Sequence, residues 1–215
     1  MPEVWADLHS HYSHQDWIDK PSLFAETAIH YFPQRATILE LGAGQGQDSR
    51  YFADNELSVT ATDIEQSALD TLESKLTPNQ RNKVTTATVD LREALPYSDS
   101  SFDVVYAHLS LHYFDLAHTK RAFSEIARVL KPGGILAFFV NSVNDPEYNT
   151  GTRLEADYFQ IGDTRKRYFS VESASELTQG SFETKLLDDL GETYKDADKG
   201  VHRLIRYIGQ KPKQL

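Results

Sequence analysis

The chain has 215 residues, a length that suits one domain with a sizeable core. Its net charge of −10 and isoelectric point of about 5.2 disfavour a broad nucleic-acid footprint, which needs clustered lysine and arginine, though not a small basic pocket. Cysteine is absent, so disulfides, thiolate metal sites and cysteine nucleophiles are excluded.

Glu3 and Asp7 stand where a signal peptide carries cations. The longest wholly apolar run, Ile135 to Val140, is too short to cross a bilayer, so a cytoplasmic protein without a membrane partner is expected. Residues 1–21 are polar and aromatic, with Trp5, Tyr12 and Trp17 among histidines, and read as an arm. Within it Asp7-Leu-His-Ser-His11, followed by His14, superficially resembles the metal-binding start of some metal-dependent phosphoesterases. Such a site needs further ligands at other strand ends of a barrel, and the later pattern differs, so no metal is expected. The arm either stays free or closes over a bound ligand through Tyr12 and Trp17.

Ser22 to Phe32 reads as a helix between Pro21 and Pro33. Thr37–Leu41 follows as a strand, since Ile38, Leu39 and Leu41 make the apolar run of a buried parallel strand. Gly42, Gly44 and Gly46 then recur at every second position, and Gln47 to Asp54 reads as a helix with Asn55 as its left-handed terminator. Leu57–Thr62 alternates as the second strand, with Asp63 at its end. A helix carrying Ala68, Leu69, Leu72 and Leu76 on one face is stopped by Pro78-Asn79. Val84–Val89 is the third strand, ending at Asp90, and Phe102–Ala107 the fourth, after a turn at Ser98–Ser101. Phe123, Ile126, Ala127 and Leu130 give the next helix one apolar stripe. Lys131-Pro-Gly-Gly134 ends it, and Ile135–Val140 is the fifth strand.

Residues 141–169 break this rhythm and are expected to be irregular. A short helix at Val171–Gln179 and strands at Phe182–Asp188 and His202–Ile208 close the chain. The thirteen residues from Asp189 to Val201 form an exposed connection between the last two strands. Strands alternating with helices specify an α/β fold, a parallel sheet covered on both faces.

The glycine stretch is a strand-to-helix corner of the kind that admits a ligand to the main chain. Its spacing is G-x-G-x-G, one residue short of the dinucleotide fingerprint, and Glu40 precedes it by two. Glu40, Asp63 and Asp90 place acids at or near three successive strand ends, where an open parallel sheet binds ligands. Each has a local explanation too: Asp63 as a helix cap, Asp90 as the cap of a turn before Arg92. A carboxylate at the end of the second strand has the acceptors to take both hydroxyls of a cis-diol ribose.

Glu40 with Gly42-Ala-Gly-Gln-Gly46, followed in order by these acids, resembles the class I, Rossmann-like S-adenosylmethionine-dependent methyltransferases over roughly residues 36–140. That resemblance implies a doubly wound sheet of seven strands, mostly parallel, with an antiparallel C-terminal hairpin strand. It implies one domain over 1–215: an arm and helix covering the cofactor site (1–35), a cofactor-binding core (36–140), an acceptor-side insertion (141–170), and a C-terminal helix with closing strands (171–215). The implied cofactor is S-adenosyl-L-methionine and the product S-adenosyl-L-homocysteine. Gly42, Ala43, Gly44, Gln45 and Gly46 would hold it, with Asp63 on the ribose and Ile64 on the adenine face. Asp90 and the Leu91 N–H would meet the adenine edge, and Glu40 would orient the turn and compensate the ammonium. Ala107 and His108 would line the methionine portion, and Tyr12 would reach in from the arm.

In Tyr106-Ala-His-Leu-Ser-Leu-His-Tyr113 the same resemblance makes His108, His112 and Tyr113 the candidates for acceptor contact or for a catalytic base; otherwise His112 and Tyr113 pack in the following turn. Alignment supplies much of the acceleration in methyl transfer, and a base helps only where the acceptor must lose a proton. The acceptor is expected to be a small molecule with an oxygen, nitrogen, sulfur or metalloid nucleophile. Nucleic acid is not expected, because no Asn/Asp-Pro-Pro-aromatic tetrapeptide follows the fourth strand. Ile135 to Tyr148 and Lys166-Arg-Tyr-Phe-Ser170 resemble small bacterial methyltransferases of the tellurite-resistance type. Acceptor choice is expected to lie in 141–169, among Tyr148, Arg153, Glu155, Tyr158, Phe159, Arg165, Lys166, Arg167 and Tyr168, whose cations face either an anionic acceptor or solvent. The rival functions are a non-catalytic S-adenosylmethionine-binding module, a nicotinamide-dependent oxidoreductase, and a metal hydrolase using His9 and His11.

Overall fold

The structure is a computed structural model and describes residues 18–194 and 203–213. The expectations for Tyr12, Trp17 and the histidines of the arm lie outside those residues.

A seven-stranded sheet runs in the order β3-β2-β1-β4-β5-β10-β9. Its strands are β1 (Thr37–Leu41), β2 (Ser58–Asp63), β3 (Val84–Thr88), β4 (Phe102–His108), β5 (Leu130–Val140), β9 (Glu183–Gly191) and β10 (Leu204–Gln210). β1 to β5 pair in parallel, and β10 runs antiparallel to both β5 and β9. This is the expected α/β architecture with its closing hairpin strand.

Side-chain alternation divides the core between the two faces. Ile38, Val104, Tyr106, Ala137 and Phe139 join one apolar cluster with Phe24, Phe52 and Leu72. Leu39, Leu41, Val105, Leu136, Phe138 and Val140 join the other with Phe123, Ile126 and Ala174. The first face is covered by α1 (Leu23–Ala28), α2 (Gln47–Asp54) and α3 (Gln66–Lys75), the second by α5 (Leu116–Val129) and α6 (Val171–Thr178). Burial on both faces is why β1 and the second half of β5 read as continuous apolar runs. Among the described residues no helix is long and apolar enough to cross a membrane.

Several local expectations are corrected. The first helix is shorter than Ser22–Phe32: Ser22 caps α1 by accepting from the Ala25 N–H at 3.0 Å, and Ile29–Tyr31 tightens into a 3-10 turn. Asn55 is not the left-handed residue after α2. Its φ is −95°, and Glu56 takes the positive φ of 63° while the Leu57 N–H reaches back to the Phe52 carbonyl. Pro78 does not stop α3, which ends at Lys75. It opens a short α4 (Pro78–Arg81) whose capping box is Thr77 and Gln80, because proline is welcome where no helical N–H is needed. β5 begins at Leu130, directly after α5, so Lys131-Pro-Gly-Gly134 lies inside an irregular strand. The last connection is shorter than Asp189 to Val201, since β9 continues to Gly191.

The largest correction concerns residues 141–169. They hold a three-stranded antiparallel sheet of β6 (Thr152–Glu155), β7 (Tyr158–Ile161) and β8 (Thr164–Arg167). Tyr148, Phe159 and Tyr168 meet edge to face with centroids 5.5–6.1 Å apart and give it a small core of its own.

Candidate cofactor and acceptor site

The strand order reverses between β1 and β4, and the glycine corner lies at the C-terminal end of β1 beside that switch. The Gly42 and Ala43 N–H groups both donate to the Thr62 carbonyl at 2.8 Å, which bends the chain away from β1 toward the end of β2. Two of the three glycines are required by packing. A Cβ on Gly42 would meet Ser110 Cβ at 2.4 Å, and one on Gly46 would meet Leu72 Cδ1 at 2.1 Å. Both also have φ of 74°, in the left-handed region. Gly46 then starts α2 without a side-chain cap.

Asp63 is 8% exposed. Its Oδ2 accepts from the Gly44 N–H at 2.8 Å and its Oδ1 from the Glu65 N–H at 3.0 Å. One backbone bond per oxygen fixes the carboxylate and leaves each oxygen a further acceptor direction. Asp63 is not the cap expected for α3, whose N-cap is Glu65 without a side-chain cap bond; it fixes the turn before that helix through the Glu65 N–H and keeps acceptor capacity on both oxygens. Ile64 beside it is half-buried.

Glu40 is buried in β1, and the Ser49 hydroxyl of α2 donates to its Oε2. Burial raises its carboxyl well above the ordinary range, reinforced by the nearby charges of Asp48 and Asp63. Asp48 is the residue that sequence reasoning missed. It is 2% exposed and accepts from the Ser22 N–H at 2.7 Å, the Ser22 hydroxyl at 2.8 Å and the Tyr106 hydroxyl at 2.7 Å. It thus bolts the cap of α1 and the interior of β4 to the first turn of α2. Its position in a first helical turn was visible, but that placement is as common for exposed acids. Gln47 Oε1, on the neighbouring residue, is buried with no bond partner.

The donor set fits S-adenosylmethionine. Asp63 offers acceptors for ribose hydroxyls, and Glu40, Asp48 and Asp63 bring three acids together where a cationic ligand would relieve their mutual repulsion.

Asp90 follows β3 and is engaged by Arg92, which donates from its backbone N–H at 2.9 Å, from Nε at 2.9 Å and from Nη2 at 2.6 Å. The Arg92 guanidinium holds the Asp90 carboxyl below its usual range. The turn-capping role foreseen for Asp90 is thus what the geometry displays, and an adenine amino group would add to these bonds. Leu91 is half-buried next to it.

Ala107 and His108 end β4, with Ala107 buried and the His108 ring stacked on Phe139 at 5.1 Å and 2°. Leu109 turns the chain with φ of 55°, a conformation that a bulky residue adopts only when its surroundings impose it. The Leu109 N–H is bonded to the Phe139 carbonyl, and this turn brings Ser110 over Gly42. His112 is 2% exposed, tilts against Tyr113 at 4.2 Å between centroids, and has an Nδ1 without a bond partner. Burial, followed by the charges of Lys166 and His108, lowers the His112 imidazole to about 3. At neutral pH that ring is uncharged and a poor proton acceptor. His108 is lowered by burial as well.

Residues 39–138 match the family model described as a methyltransferase domain. A malonyl-[acyl-carrier protein] O-methyltransferase from Enterobacter lignolyticus is 32% identical over 130 residues, which is 60% of this chain and 48% of that protein. An uncharacterized methyltransferase of Mycobacterium tuberculosis is 34% identical over 124 residues, 57% of this chain and 47% of that protein. The chain spans about half the length of the curated relatives it matches. A SAM-dependent methyltransferase from Methanosarcina mazei shares the fold with a TM-score of 0.74 at 22% identity, over 87% of this chain and 98% of that one. Residues 39–138 thus resemble a methyltransferase domain, and the seven-stranded sheet built on them has the fold of the Methanosarcina mazei methyltransferase.

Proposed function

We propose that the chain transfers the methyl group of S-adenosylmethionine directly, in line, to a small-molecule acceptor at the C-terminal rim of the sheet. The observation that carries this reading is the Asp63 carboxylate, oriented by the Gly44 and Glu65 N–H groups and retaining acceptor capacity on both oxygens. Asp63 binds the two ribose hydroxyls, Ile64 and Leu91 flank the adenine, and Asp90 accepts from its amino group. Gly42, Ala43, Gly44, Gln45 and Gly46 form the cradle, and Glu40 and Asp48 supply negative potential for the ammonium and sulfonium. Ala107 and His108 border the methionine portion, and the acceptor enters past His112 and Tyr113.

When bound, the cofactor supplies an electrophilic methyl group on a positively charged sulfur. The protein's task is to align the acceptor and exclude water, and alignment alone supplies a large part of the barrier reduction. His112 is too weak a base to take a proton from an alcohol or an amine at neutral pH. One relative, the Enterobacter lignolyticus O-methyltransferase, supports oxygen as the acceptor atom. The acidic charge of the chain does not favour a nucleic-acid acceptor.

Titration calorimetry with S-adenosylhomocysteine and with NADH tests the cofactor assignment. Saturable binding of the first and none of the second is expected, and the reverse pattern would make the chain an oxidoreductase.

A further inference from the structure

The glycine turn and the loop after β4 meet at a single peptide unit. β1 pairs with β4 as far as Glu40 and Tyr106, and beyond that rung β4 stays with β5 up to His108 and Phe139. The ends of β1 and β4 therefore part at the switch in strand order. Ser110 spans the gap: its hydroxyl donates to the Leu41 carbonyl at 2.5 Å. The N–H of that same peptide unit, on Gly42, donates to the Thr62 carbonyl at 2.8 Å. A peptide unit is planar and stiff, so both bonds depend on one orientation of it.

Ser110 is held from its own side as well. Leu109, with φ of 55°, packs against the apolar cluster on one face of the sheet, and Leu111 is buried in the cluster on the other. Between them the Ser110 Cβ occupies the space that a side chain on Gly42 would need.

The same loop is bonded to the inserted sheet. Arg167 is 6% exposed, and its guanidinium donates from Nε to the Phe114 carbonyl at 3.0 Å, from Nη1 to the Ala156 carbonyl at 3.2 Å and from Nη2 to Glu155 at 2.6 Å. The Arg167 backbone N–H donates to the His112 carbonyl at 2.7 Å, and Glu155 also accepts from the Leu116 N–H at 3.0 Å. With this Arg167 latch, a run of bonds leads from the glycine turn through Ser110 and the loop to the insertion.

We propose that Ser110 is a positioning residue: through the Leu41–Gly42 peptide it makes the placement of residues 109–116, and of the inserted sheet latched to them, depend on a filled cofactor turn. This rests on the cofactor reading above. A ligand bonded to the glycine turn and Asp63 holds the Leu41–Gly42 unit in one orientation, and Ser110 passes that constraint to the acceptor side. The acceptor wall is then set only when the methyl donor is in place. Linkage makes the effect reciprocal, so an ordered loop also favours the cofactor. Ser110 acts through the main chain and takes no part in bond making.

The test uses the full chain and saturating S-adenosylhomocysteine, with amide exchange read by mass spectrometry in its presence and absence. In the unaltered protein the ligand should slow exchange at 42–46 and also, about fivefold, at 109–116 and 152–169, the worth of one hydrogen bond. Ser110→Ala should bind S-adenosylhomocysteine within about tenfold of the unaltered affinity, again the worth of one bond. It should keep the slowing at 42–46 and lose it at 109–116 and 152–169. Ser110→Thr, which retains the hydroxyl, should restore it. Arg167→Leu cuts the second joint, so the ligand should slow exchange at 109–116 and no longer at 152–169. A merely structural hydroxyl would quicken exchange in Ser110→Ala equally with and without ligand. That result, leaving the ligand-induced difference intact, would overturn the proposal. So would slowing confined to the glycine turn and Asp63 in the unaltered protein with S-adenosylhomocysteine bound. Failure of the unaltered protein to bind S-adenosylhomocysteine would instead overturn the cofactor reading beneath it.

Discussion

The proposed cofactor corner and the proposed acceptor corner lie on either side of the β4 end and are assembled in opposite ways. The first is made from the ends of consecutive strands and a glycine turn, and its key contacts are backbone bonds: Gly42 and Ala43 to the Thr62 carbonyl, Gly44 and Glu65 to Asp63. The second is made from a loop and a separate small sheet about forty residues further on, joined through side chains, above all Arg167. A corner built from the main chain admits few substitutions, because its glycines and its acid are set by geometry. A corner built from side chains can be re-cut without disturbing the sheet. The difference suits the proposed division between one partner that does not vary, the cofactor, and another that does, the acceptor.

That contrast can be broken or sharpened by substitution, and the largest effect is expected at Asp63. Asp63→Ala should weaken S-adenosylhomocysteine binding about a hundredfold or more, as loss of a charged group serving two hydroxyls implies. Calorimetry measures it, with circular dichroism checking that the sheet persists, and unchanged affinity would remove the ribose assignment. Next comes Gly42→Ala, which sets a methyl group against Ser110 in a left-handed backbone. About 2 kcal/mol of destabilisation is expected, seen as a fall of several degrees in the melting temperature.

Arg167→Leu should cost a comparable or smaller amount, about 2 kcal/mol, because it strands the Phe114 and Ala156 carbonyls and unpairs Glu155. Hydrogen exchange should then quicken in residues 109–116 and 152–169 while β1 and β2 keep their protection and S-adenosylhomocysteine its affinity. A loss spread over the whole sheet would show that the two corners are not separable.

The smallest effect is at Glu40 and has the opposite sign. Its carboxyl is raised in the folded state above its ordinary value of 4.5, so folding binds a proton more tightly, and stability falls as pH rises between those two values. Glu40→Gln should therefore stabilise the ligand-free protein by a few degrees at pH 8, with little change at pH 4. It should weaken S-adenosylmethionine more than S-adenosylhomocysteine, whose sulfur is neutral. A melting temperature lowered equally at both pH values would contradict the raised carboxyl.

How much of this was legible before the structure follows the same divide. β1, its glycine turn and α2 were placed to within a residue, because apolar runs, glycine spacing and the absence of breakers are local signals. Asp63 was legible because a strand end fixes where its carboxylate goes. Asp48 was not: its burial depends on Ser22 and Tyr106, which are 26 and 58 residues away. The inserted sheet was equally hidden. β6 is exposed throughout, its strands are four residues long, and what holds them is the Tyr148–Phe159–Tyr168 cluster and the Arg167 latch rather than any period in the sequence. The Asp90–Arg92 contact was anticipated because its partners are two residues apart.

The most direct test of the account is a crystal structure of the chain with S-adenosylhomocysteine. The ribose hydroxyls should lie on the Asp63 carboxylate, with the adenine between Ile64 and Leu91 and the sulfur directed at the mouth beside His108 and His112. Density away from the β1–β4 switch, or a ribose turned from Asp63, would contradict it.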